Sequence, residues 1–95
     1  MGNRQNAAIS LTNLGQSAYT QGSFAAASDY YQQSLVMSRE VGNRFLVVAN
    51  LNGLGTVELA QGNLTAAAAW LQESLALSHA IAALPIVLEG LVGLA

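Results

Sequence analysis

Small and apolar residues recur at steps of three and four along most of this chain, the spacing that lines one face of an α-helix. Ala8, Leu11, Leu14, Gly15 and Ala18 make a first stripe, and Phe24, Ala27, Tyr31, Ser34, Leu35 and Ser38 a second. Leu51, Leu54, Gly55 and Glu58 make a third, and Leu64, Ala67, Leu71, Ser74 and Leu75 a fourth. Glycines at 22, 42 and 62 separate the stripes. A helix C-terminus favours a residue that tolerates left-handed backbone. Ser23 and Asn63 follow two of these glycines and are expected to be N-caps. After the fourth stripe Pro85 marks a break and suits the first turn of a further helix over residues 85–94. The pattern predicts an all-α chain of antiparallel helix pairs.

The chain also resembles itself at an offset of 40 residues. Gly2-Asn3-Arg4 falls on Gly42-Asn43-Arg44, and Leu11, Leu14 and Gly15 fall on Leu51, Leu54 and Gly55. Gln21-Gly22 matches Gln61-Gly62, and Ala26-Ala27 matches Ala66-Ala67. Gln32, Ser34, Leu35 and Ser38 match Gln72, Ser74, Leu75 and Ser78. Val47, Leu51, Gly53 and Leu54 are echoed by Val87, Leu91, Gly93 and Leu94. Repeat one is placed at 6–41, repeat two at 46–82 and a truncated third repeat at 85–95. Because Gly2-Asn3-Arg4 reads as the turn closing an earlier repeat, residues 1–95 are expected to be a single domain cut from a longer array.

These units resemble the tetratricopeptide repeat family. The resemblance is carried by Leu11, Leu14-Gly15, Ala18, Gly22, Phe24, Ala27, Tyr31 and Ser34-Leu35. In the second copy it is carried by Leu51, Leu54-Gly55, Glu58, Gly62, Leu64, Ala67, Leu71 and Ser74-Leu75. The Trp common at the start of the motif is Leu11 and Leu51 here. Arg39 and His79 stand near the place of the motif's Pro, and Glu58 replaces an apolar residue. The family's unit has about 34 residues, so the longer unit is expected to extend its second helix. Such long repeats resemble those of bacterial signal-transduction regulators that carry an ATPase module. The resemblance implies a short right-handed superhelix, an α-solenoid of stacked helix pairs. It also implies a non-enzymatic protein–protein interaction scaffold.

Composition narrows the chemistry. Apolar residues make up 53% of the chain and charged residues 8%, which excludes intrinsic disorder. Arg4, Arg39 and Arg44 are the only Lys or Arg residues, too few to follow a nucleic-acid backbone. The longest apolar run, residues 80–88, is far short of the roughly 20 residues a spanning helix needs. The chain has no cysteine, which fits a cytoplasmic location. His79 has no acid at helical spacing, and the five acids share no local motif, so no metal, cofactor or catalytic group is expected. Gly53-Leu54-Gly55 lacks the third glycine and the strand of a dinucleotide loop. Asn63-Leu64-Thr65 has the form of a glycosylation sequon, but Asn63 sits in the slot Ser23 fills.

By the same resemblance, the first helix of each repeat lines a concave groove for a peptide or partner domain. The groove-facing residues are then Ile9, Thr12, Asn13, Gln16 and Tyr19, with Ala49, Asn52, Gly53, Thr56 and Leu59 as counterparts. No Lys or Arg lies on this face, so a neutral, weakly polar ligand is expected. Gly15 and Gly55 are expected at the closest helix approach, and Gly53, on the groove side, is expected to accept Ala. Two alternatives stand beside the scaffold: a homo-oligomerisation element and a sensor segment for a small effector. For the first, the helix after Pro85 presents Ile86, Val87, Leu88, Leu91 and Val92, and a homodimer through it is expected.

Overall fold

A computed structural model describes residues 2–82 as four helices: α1 (Gly2–Thr20), α2 (Phe24–Val41), α3 (Arg44–Ala60) and α4 (Leu64–Ala82). Residues 85–95, including Ile86, Val87, Leu88, Leu91 and Val92, lie outside the described part. The helices pair in chain order, α1 with α2 and α3 with α4, and α2 packs on α3. α1 touches α3 more lightly. This succession sets α1 and α3 in one layer and α2 and α4 in the other.

The three turns share one geometry. Gly22, Gly42 and Gly62 have φ of 79°, 72° and 82°. Each glycine N–H donates to the carbonyl three residues back, and the next N–H donates five residues back. Ser23, Asn43 and Asn63 thus donate to Ala18, Ser38 and Glu58 at 2.8, 3.0 and 2.9 Å. This double closure satisfies helix-end carbonyls and is open to glycine at no steric cost.

The caps differ from expectation. Ser23 makes no side-chain cap bond, and Asn63 donates from Nδ2 to Glu58 Oε1 at 2.8 Å. Asn43 is the side-chain cap, accepting from the Leu46 N–H at 3.1 Å. Gly2-Asn3-Arg4 lies in the first turn of α1. The helices of a pair are of similar length, so the longer unit does not lengthen the second helix alone.

The core follows the two-layer packing. Ala8, Ala18, Ala27, Tyr31, Leu35, Val47, Leu51, Leu54, Val57 and Ala67 are buried. Equivalent positions differ according to whether a neighbour is stacked on them. Leu54 is fully buried whereas Leu14 is 47% exposed, and Leu35 is 4% exposed whereas Leu75 is 60% exposed. The stripe containing Leu14 was expected to face inward. Leu14 instead looks away from the only neighbouring pair described, and Leu75 does the same at the other end. Tyr19 and Phe24 close the first turn with ring centroids 5.6 Å apart, and both pack against the core. Among the described residues no helix is long and apolar enough to cross a membrane.

Candidate functional site

The groove begins with a packing problem. Two helices approach closely where one of them lacks a side chain. A Cβ on Gly15 would lie 2.9 Å from the Tyr31 ring, and one on Gly55 would lie 2.6 Å from Leu71. Both glycines are therefore the contact points expected of them. Gly53 is a third. A Cβ there would lie 2.5 Å from Cζ of Tyr31, so the expectation that Gly53 accepts Ala is overturned. The Tyr31 ring is wedged between Gly15 of α1 and Gly53 of α3, and its edge forms the floor of the groove.

Around that floor stand Thr12, Gln16 and Tyr19 of α1 with Ala49, Asn52, Gly53 and Thr56 of α3, enclosing about 320 Å³. Seven of the ten residues expected to face the groove, Thr12, Gln16, Tyr19, Ala49, Asn52, Gly53 and Thr56, are thus brought together, and Ile9 and Leu59 are not. Asn13 is exposed but does not line this space. Its counterpart Gly53 owes its groove position to the Tyr31 ring of the preceding pair, and no described pair precedes α1. None of the lining side chains is charged. Burial raises the Tyr31 phenol above its ordinary pKa, and the neighbouring Tyr19 phenol raises it further.

Thr12 differs from its expected role. Its hydroxyl donates to Asn50 Oδ1 at 2.8 Å and sits 2.7 Å from Ser34 Oγ. Asn50 Nδ2 donates to Ser34 Oγ at 2.9 Å, and the Ala8 carbonyl, 2.7 Å from Ser34 Oγ, is the alternative acceptor for the one Ser34 proton. Thr12, Ser34 and Asn50 therefore form a closed ring across α1, α2 and α3. Ser38, which donates to the Ser34 carbonyl at 2.8 Å, lies against it. The Thr12 hydroxyl holds helices together and is not free for a ligand. The second pair repeats part of the device: Ser74 donates to Asn52 Oδ1 at 2.6 Å, at the positions equivalent to Ser34 and Thr12. No buried side-chain nitrogen or oxygen among the described residues lacks a partner.

The stripe reading treated Ser34 and Ser74 as small packing residues and passed over Asn50. The available signal was a repeated Ser on an otherwise apolar stripe, opposite Thr12 and Asn52. The groups left to meet a ligand are the Gln16 amide, the Asn52 N–H₂, the Thr56 hydroxyl as acceptor and the two phenols. Thr56 is an acceptor because its proton goes to the Asn52 carbonyl at 2.8 Å. They can pair with amides and carbonyls. Among the described residues no group of three or more His, Asp or Glu could hold a metal ion.

A family model for the tetratricopeptide repeat matches residues 6–80. No curated protein and no solved structure matches the chain significantly. The family is generally one of protein–protein interaction modules and is typically non-enzymatic. The match spans both described helix pairs, and this chain belongs to the tetratricopeptide repeat family.

Proposed function

We propose that the groove between α1 and α3 binds an extended, uncharged polypeptide segment, and that the chain serves as a non-enzymatic interaction scaffold in a larger cytoplasmic regulator. One observation carries this reading: a cluster of amide, hydroxyl and phenol groups over an aromatic floor, with no charged lining side chain. Such groups pair with a peptide backbone without demanding a charged side chain. Selection from a random peptide library tests it. Enriched sequences should be poor in Asp, Glu, Lys and Arg, and their binding should change little between low and high salt. Gln16→Ala should weaken that binding while shifting stability by less than about 0.5 kcal/mol, as exposed substitutions do. Enrichment of charged peptides, or indifference to Gln16→Ala, overturns the reading.

A second reading, self-association, draws on the 60% exposure of Leu75 and the 73% exposure of Phe45. Leu75 is equivalent to Leu35, which the next helix pair buries. A second copy of the chain covering this face, with residues 86–92 contributing, would make a homodimer. Light scattering across a hundredfold concentration range should show mass rising above 9.8 kDa. A constant monomer mass excludes it.

A further inference from the structure

On the α2/α4 side, away from the groove, a crevice encloses about 590 Å³ between the ends of α2 and α4, over the start of α3. Its floor is apolar, with Val47 buried and Leu77, Ala76 and Ala80 around it. Arg39, Glu73 and Arg44 stand at its rim. It shares no lining residue with the groove.

The two repeats differ at this place in an informative way. In repeat one, Arg4 at the start of α1 pairs with Glu40 at the end of α2. The equivalent positions in repeat two are Arg44 and Ala80. Repeat two keeps the guanidinium and has lost its carboxylate. The other ion pair among the described residues joins Arg39 to Glu73, so the rim's one acid is already engaged. Arg44 thus has no described acid within ion-pair distance. The same exchange opens space, because Ala76 and Ala80 replace what are Val36 and Glu40 in repeat one.

We propose that this crevice is a second binding site, which takes a small carboxylic acid with an apolar body: the carboxylate on Arg44 in the place of the missing Glu, the body over Val47, Ala76 and Leu77. The volume lies within the roughly 300–1,000 Å³ of small-molecule sites. A guanidinium with no acid partner among the described residues, beside an apolar floor, complements such a ligand at both ends. The site stands independently of the groove reading.

Hexanoate, hexylammonium and an acetylated Glu-Leu amide are the probes, each titrated into the ¹⁵N-labelled full chain and followed by amide shifts at Gly42, Val47 and Ala80. Hexanoate should shift these amides and bind at least about tenfold more tightly than hexylammonium. Ala80→Glu restores the internal carboxylate and should weaken hexanoate about tenfold, as should Arg44→Gln. Arg4→Gln should leave it unchanged. Circular dichroism of each variant establishes that it is folded, and the two crevice substitutions fall at exposed helix positions where either residue is accepted. Equal response to hexanoate and hexylammonium overturns the proposal. So does unchanged binding in Ala80→Glu or Arg44→Gln, or binding of the Glu-Leu peptide alone.

Discussion

Tyr31 of α2 packs against both helices that flank the groove. Its ring separates α1 from α3 at the points where Gly15 and Gly53 leave room for it. A methyl on Gly53 would meet the ring at 2.5 Å, and the ring cannot retreat because Gly15 lies against it. Gly53→Ala should therefore cost about 1–3 kcal/mol through overpacking, less the roughly 1 kcal/mol that Ala gains in a helix interior. The net loss should show as a lower urea midpoint. Tyr31→Leu, which installs the residue of the equivalent position 71, should remove most of the difference between Gly and Ala at 53. Full additivity of the two substitutions would mean that ring and glycine do not touch. The Tyr31 phenol adds a pH signature. Its pKa is raised on folding, first by burial and then by Tyr19, so the folded state holds the proton more tightly than the unfolded chain. The associated stability is present in full below the ordinary tyrosine value of about 10 and is lost as pH rises through the folded value. Denaturation between pH 8 and 11 should show a steeper decline for the native chain than for Tyr31→Phe.

At the scale of the helices, the interface between pairs is held by a polar device inside an apolar seam. Asn50→Ala removes both arms of the ring formed with Thr12 and Ser34, and should cost about 1–3 kcal/mol. Ser10 is the equivalent residue in α1 and is exposed, so Ser10→Ala should stay within about 0.5 kcal/mol. Equal costs in denaturant titrations would place the device elsewhere. The contrast shows what was legible beforehand. Glycine spacing and apolar period located the four helices and their turns, because both follow from local backbone sterics and from one-sided burial. The ring was not legible, since a period count reads Ser34 as merely small and gives Asn50 no stripe. Gly53 was misread for a related reason. Its constraint comes from a ring in the preceding pair, and no window along α3 contains that ring. Most of the groove was found because its residues recur in phase on successive first helices. Thr12 lines the groove but commits its hydroxyl to Ser34 and Asn50, and Asn13 lies outside it because no described pair precedes α1.

For the whole molecule, a residue's worth depends on which pairs stand beside it. Leu54→Ala should cost about 2–5 kcal/mol, the range for a fully buried Leu, whereas Leu14→Ala should cost well under about 1 kcal/mol. Thermal melts of the two variants decide this, and matched losses would mean that α1 is covered as fully as α3. The three identical turns carry a further consequence, one of parity. Each turn reverses the chain and moves it to the other layer, and each is closed by the same bonds around Gly22, Gly42 and Gly62. A tandem duplication of residues 23–62 would join Gly62 to Ser23 through a junction already present at Gly22, with every later helix kept in its own layer. Copying one helix with its turn would send each later helix to the wrong side, apolar stripe outward. Chains of this kind can therefore lengthen or shorten by even numbers of helices without redesign, and by odd numbers only at the expense of the fold.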